Sequence, residues 1–139
     1  MDIKKIVNEL CRKYGTSNPY DLAACLGIHI RFDRLGTMQG YFHQMSRVRQ
    51  IVINEDLPEH IEKFVLAHEI GHSIMHPGCN TSFLQSTFFS TDKLEIQANK
   101  FAAELIIQDV DLMEHWEYTV DQWAAYYGLP REIIEFRFK

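Results

Sequence analysis

The chain has 139 residues, enough for one compact domain that buries a core without a disulfide or a metal as a staple. Its 46% hydrophobic and 24% charged content is that of an ordinary soluble globular protein, and its formal net charge of −5 argues against a general nucleic-acid binder, which carries a basic face. No apolar run approaches the length of a membrane span, and the N-terminus MDIKKIVNEL lacks the continuous apolar segment of a signal peptide. Cys11, Cys25 and Cys79 are odd in number and contain no CxxC, so all three read as reduced thiols of a cytoplasmic protein.

Residues 2–14 place Ile3, Ile6, Val7 and Leu10 at helical spacing, with Gly15 as the stop. Asn18-Pro19 starts a short helix that Gly27 ends. IHIRF (28–32) alternates apolar and polar residues and reads as a strand, a second strand follows near Tyr41, and RQIVIN (49–54) reads as a third. Pro58 opens a long helix through about Met75, which Pro77-Gly78 ends. Residues 79–92, rich in Ser, Thr and Phe without a clean period, read as a loop. Thr91 or Asp92 caps a helix through KLEIQANKFAAELIIQ, and two shorter helices follow at about 119–127 and 131–137. The expected fold is α+β: a mostly helical single domain over 1–139, with a small three-stranded antiparallel sheet beside the long helix.

That long helix carries FVLAHEIGHSIMH, polar histidines and a glutamate in an otherwise apolar stretch. Residues four apart on a helix share a face, about 6 Å along the axis, so His68 and His72 can converge on one metal ion. Glu69 is rotated away from ligation but lies beside the metal, where it can take a proton from a bound water. His68-Glu69-Ile70-Gly71-His72 therefore matches H-E-x-x-H, with Glu69 as general base. Buried histidines and a buried carboxylate need partners, and a metal supplies them. A catalytic zinc takes three protein ligands, and the best third is Glu95 on the following helix, where Ala98, Ala102 and Ala103 allow close packing. Asn99, four residues on, can accept from the free N–H of a ligand histidine and fix its tautomer. The same His₂Glu set can hold manganese or iron.

His76 extends the series but lies about 12 Å along the axis from His68, so it reads as the residue that closes the helix, where an imidazolium is favourable. His29, His43, His60 and His115 read as ordinary surface or core residues; His43 and Tyr41, on the second strand, are the two that could reach the site, Tyr41 as an oxyanion donor. Gly71 costs about 1 kcal/mol in a helix against Ala, which points to close approach by the edge strand or the substrate backbone.

The HEIGH helix, the helix with Glu95-x-x-Ala98-Asn99-x-Phe101-Ala102, and the preceding G-Y-F and I-V-I-N strands resemble the ImmA/IrrE family of metallopeptidases, the DUF955 group, over roughly residues 20–110. The pattern is also similar to thermolysin-like gluzincins, which have E-x-x-x-D where this chain has Asn99. The resemblance implies a bacterial or phage zinc endopeptidase whose protein substrate is a separate helix-turn-helix repressor. The lack of a membrane-length apolar run points to no membrane partner.

Three other readings remain open. One is a metal-binding regulatory protein with little proteolysis, which has no need of a base at Glu69. The second is DNA binding through the C-terminal TVDQWAAYYGLPREIIEFRFK, whose apolar Ile133, Ile134, Phe136 and Phe138 suit packing better. The third is a small-amide hydrolase with 79–92 as its lid.

Overall fold

The computed structural model describes residues 1–139. Helix α1 (Ile3–Tyr14) is started by Asp2, whose carboxylate accepts from the Lys5 amide at 3.1 Å, and stopped by Gly15 at φ 69°. In α2 (Pro19–Cys25) Asn18 caps the Tyr20 amide at 2.8 Å and the proline sits where its missing N–H costs nothing.

Four strands follow the order β1-β3-β2-β4: β1 (Ile28–Asp33), β2 (Met38–Met45), β3 (Val48–Asn54) and β4 (Thr81–Leu84). The α+β class holds, but the sheet is mixed and four-stranded, not antiparallel and three-stranded. β2 runs antiparallel to β3 and β4, whereas β1 is parallel to β3. The reason lies in β3, whose residues Ile51 to Asn54 are all buried. A strand buried on both faces belongs in the middle of a sheet, and β3 takes that place by inserting between β1 and β2.

The expected loop at 79–92 is largely ordered. It contains β4 and a 3-10 turn at Gln85–Phe89, fixed by the Thr87 hydroxyl accepting from the Leu84 amide at 3.0 Å. Four residues are too short for a recognisable alternation, although Thr81 and Phe83 do face inward together.

Helix α3 (Glu59–Met75) is buried continuously from Phe64 to Ser73. The sheet lies on it at Gly40, where a Cβ would come within 2.7 Å of Val65 Cγ1. Helix α4 (Lys93–Ile106), capped by Asp92, lies against its other side. At Gly71 a Cβ would stand 2.9 Å from the ring of Phe101, so the glycine admits α4, not an edge strand or a substrate. The buried Ala98 and Ala102 keep this contact close.

Helix α4 ends at Ile106, two residues before the expected Gln108, and an unforeseen α5 (Asp109–Glu114) follows. Then come α6 (Val120–Tyr127) and α7 (Arg131–Arg137). Ile133 and Ile134 of α7 are fully buried. Arg137 donates to the Ile107 carbonyl at 2.8 Å, and Arg131 is held by Asp121 and Glu135 at 2.9 Å each. The C-terminal pair of helices is thus a packing element whose arginines are engaged within the chain. No helix is long and apolar enough to cross a membrane.

Candidate metal centre

Helix periodicity puts His68 and His72 on one face of α3, with their Nε2 atoms 3.1 Å apart. The close α3–α4 contact brings Glu95 over both: Oε2 lies 3.0 Å from His68 Nε2 and Oε1 lies 2.8 Å from His72 Nε2. The imidazoles are buried and the carboxylate is partly open, its side chain 20% exposed.

The far side of His68 fixes its proton. Asn99 Nδ2 donates to the Thr87 carbonyl at 3.0 Å, which turns Asn99 Oδ1 toward His68 Nδ1 at 2.8 Å. An amide oxygen only accepts, so Nδ1 carries the hydrogen and neutral His68 presents a lone pair at Nε2. That lone pair faces the Glu95 carboxylate, another acceptor. Acceptors crowded within 3.1 Å of one another repel unless a proton or a cation lies among them. The donor set, two imidazole nitrogens and a carboxylate, is one that suits a single divalent metal.

Glu69 is fully buried beside this cluster, and ligand-capable atoms of His68, Glu69 and His72 lie within 4.8 Å of one another. Glu95 lies closer to both ring nitrogens than that bound and completes a compact His/His/Glu group. The Thr81 hydroxyl of β4 donates to Glu69 Oε2, while Oε1 is buried without a protein partner. Burial raises the Glu69 pKa, against the opposing charges of His68 and His72 and the Thr81 hydrogen bond. At Glu95 burial also pushes upward, but with no metal present and protons on the imidazoles, hydrogen bonds from His68 and His72, and their charge, outweigh it and hold the carboxyl at about 2. Phe83 meets His68 edge-on with centroids 4.7 Å apart, and Phe64 and Phe88 continue this apolar wall.

The structure brings together His68, Glu69, His72, Glu95 and Asn99, all read from the sequence. It leaves Tyr41 and His43 outside. Both alternate with Gly40 and Phe42, which face the core, so they lie on the opposite face of the sheet, and Tyr41 OH is 3.5 Å from Arg31 Nη2. His115 stacks on Tyr118 at 4.7 Å, in a separate aromatic group. His76 does more than close the helix: its Nδ1 lies 2.9 Å from His72 Nδ1. Sequence reasoning also missed Thr81, Thr87 and Gln97. Only His76 had a signal, its position four residues after His72.

The sequence model for the IrrE N-terminal-like domain of peptidase family M78 matches residues 23–139. The chain belongs to the ImmA/IrrE family of metallopeptidases. It is similar to the metallopeptidase ImmA of Bacillus subtilis strain 168, with 34% identity over 142 residues, covering 97% of this chain and 83% of that protein. It is also 39% identical over 139 residues to uncharacterized immunity region protein 2 of Bacillus phage phi105, covering 97% of this chain and 88% of that one. No solved structure gives a significant match. In this ImmA/IrrE enzyme the H-E-x-x-H helix and the downstream glutamate form a zinc metallopeptidase active site. Asn99, which replaces the gluzincin aspartate, has its own reason here. An amide accepts from His68 and donates to the Thr87 carbonyl together, which an ionised carboxylate cannot do.

Proposed function

We propose that His68, His72 and Glu95 hold the zinc and that Glu69 is the general base of an endopeptidase whose substrate is a helix-turn-helix repressor of a bacterial mobile element or phage. The observation that carries the site is the convergence of two imidazole Nε2 atoms and both Glu95 oxygens, with a buried carboxylate one residue away. A divalent cation supplies a Lewis acid for the peptide carbonyl and brings the pKa of a water it binds toward about 7. Manganese or iron would suit the same donors. Glu69 takes the proton of the attacking water on its free Oε1 and returns it to the leaving amine. Asn99 holds His68 in the tautomer that offers Nε2. The free edge of β4, the outermost strand, gives an extended substrate main-chain partners next to Glu69.

Two observations favour this over a metal-binding regulator without proteolysis. Glu69 keeps one buried oxygen free of protein partners, which a purely structural or sensing site does not need. A similar protein is named as a metallopeptidase. The repressor reading rests on the family resemblance and on a relative named for a phage immunity region. A cytoplasmic setting agrees with three free cysteines.

The test is metal content and cleavage on the same preparations, with a helix-turn-helix repressor of the same mobile element or phage as substrate. We expect about one zinc per chain in wild type and Glu69→Gln, loosened in Glu95→Ala, and a discrete cut by wild type alone. A chain that takes up no zinc when supplied with it overturns the site assignment. A zinc-loaded enzyme that leaves the repressor whole overturns the substrate.

A further inference from the structure

His68, His72 and His76 form a ladder rather than a pair and a spare. His68 and His72 have ring centroids 4.8 Å apart, and His72 and His76 are 5.1 Å apart. His76 caps the C-terminal end of α3, at φ −129° and ψ 56°, and its amide still bonds to the His72 carbonyl at 2.8 Å. Leaving helical geometry there keeps its buried ring against His72, with the two Nδ1 atoms 2.9 Å apart. The other ring nitrogen, His76 Nε2, lies 2.7 Å from Gln97 Oε1 on α4.

We infer that His76 and Gln97 position His72 for the metal, as a second support separate from the Asn99–Thr87 support of His68. The direction of the chain follows from its outer end. Gln97 Oε1 only accepts, so His76 Nε2 carries the hydrogen. Neutral His76 then has its lone pair on Nδ1, which accepts from His72 Nδ1–H. His72 in turn is left with its lone pair on Nε2, facing His68 Nε2 and Glu95 Oε1. Both imidazoles thus reach the metal position in the same tautomer by different routes. Each route runs from α3 into the segment around α4 that also carries Glu95. Partners that orient a ligand histidine in this way are worth about 10–100-fold in metal affinity. His76 and Gln97 are positioning residues; neither touches the reacting atoms.

The inference rests on the reading of His72 as a ligand, and the experiment separates the two. Zinc affinity of the full chain is measured by competition with a chromophoric chelator for wild type, His76→Phe, Gln97→Leu, Gln97→Glu and His72→Ala. Thermal melts establish that each is folded. Gln97 is half-buried, so its variants keep the fold even where His76→Phe does not. We expect His76→Phe to weaken zinc by about 10–100-fold and Gln97→Leu by about 10-fold, while Gln97→Glu, which keeps the acceptor, binds like wild type or tighter. Long-range ¹H–¹⁵N spectra of the zinc-loaded chain should show His72 protonated at Nδ1. Without zinc, Gln97→Leu should show a mixture of tautomers where wild type shows one. Wild-type affinity in folded Gln97→Leu and His76→Phe, with zinc lost in His72→Ala, overturns the positioning role and leaves the ligand standing. Undiminished affinity in His72→Ala overturns both.

Discussion

Thr81 on β4 donates its hydroxyl to Glu69 Oε2, and the other oxygen of that buried carboxylate has no protein partner. The strand thereby aims the proposed base, leaving Oε1 as its free acceptor. A hydrogen bond to a charged group is worth about 1.5–3 kcal/mol, or roughly 10–100-fold in rate if the transition state depends on it. Thr81→Val is expected to lower kcat within that range with zinc content unchanged, and Thr81→Ser to retain activity. Equal kcat for the valine variant and wild type would reduce Thr81 to a sheet residue.

Removing the proposed base itself is expected to have a larger effect. Glu69→Gln keeps the shape and the contact with Thr81 but cannot take a proton. Peptide cleavage should fall by about 10²–10⁴-fold, while zinc binding stays close to wild type because Glu69 is not among the three proposed ligands. A fully active glutamine variant would mean that another group takes the proton.

Asn99→Asp tests why this chain departs from the gluzincin aspartate. The substitution keeps an acceptor for His68 but turns a carboxylate oxygen on the Thr87 carbonyl, where Nδ2 now donates at 3.0 Å. A buried carbonyl left without its donor costs about 1–3 kcal/mol. Urea unfolding of the zinc-free protein should show a loss of that order. An unchanged midpoint would show that the Thr87 contact is dispensable.

Gly71→Ala would normally gain about 1 kcal/mol in helix propensity. Here the added methyl meets Cβ and Cγ of Phe101, at 3.1 and 2.9 Å, the rigid root of a fully buried ring. Overpacking of this kind costs about 1–3 kcal/mol. The variant is expected to be less stable in denaturant and to bind zinc more weakly, because α4 carries Glu95. Greater stability than wild type would show that the helices can part without penalty.

Acid should act on the zinc-free protein through Glu95. Its carboxyl is held at about 2 in the fold against an ordinary 4.5. The unfolded chain therefore binds the proton first as pH falls, so this stabilisation is complete above about 4.5 and lost toward about 2. Glu69 has the opposite sign: burial raises its pKa, so its contribution is present below 4.5 and declines as pH rises through the higher folded value. Stability measured against pH for Glu95→Gln should lose the acid-side slope between 2 and 4.5 that wild type shows. Parallel curves for the two proteins would remove Glu95 as the source.

The sequence by itself determined the parts that depend on local spacing. The spacing of four from His68 to His72 sets one helical face, and the same spacing from Glu95 to Asn99 sets another, whatever lies around them. Asn18 and Asp92 marked helix starts because a cap is a bond between near neighbours. Tertiary structure alone decided what depends on residues distant in the chain. The place of β3 between β1 and β2 follows from burial on both its faces, which an alternating pattern does not encode. Thr81 reaches Glu69 only because β4 pairs with β2, and a four-residue strand carries too little pattern to be read. Gly71 was legible as a close approach, but the partner was Phe101, thirty residues on, and only helix packing could name it. His76 shows the boundary most clearly. Its spacing placed it beside His72, while its bond to Gln97 exists only because α3 and α4 meet where the glycine lets them.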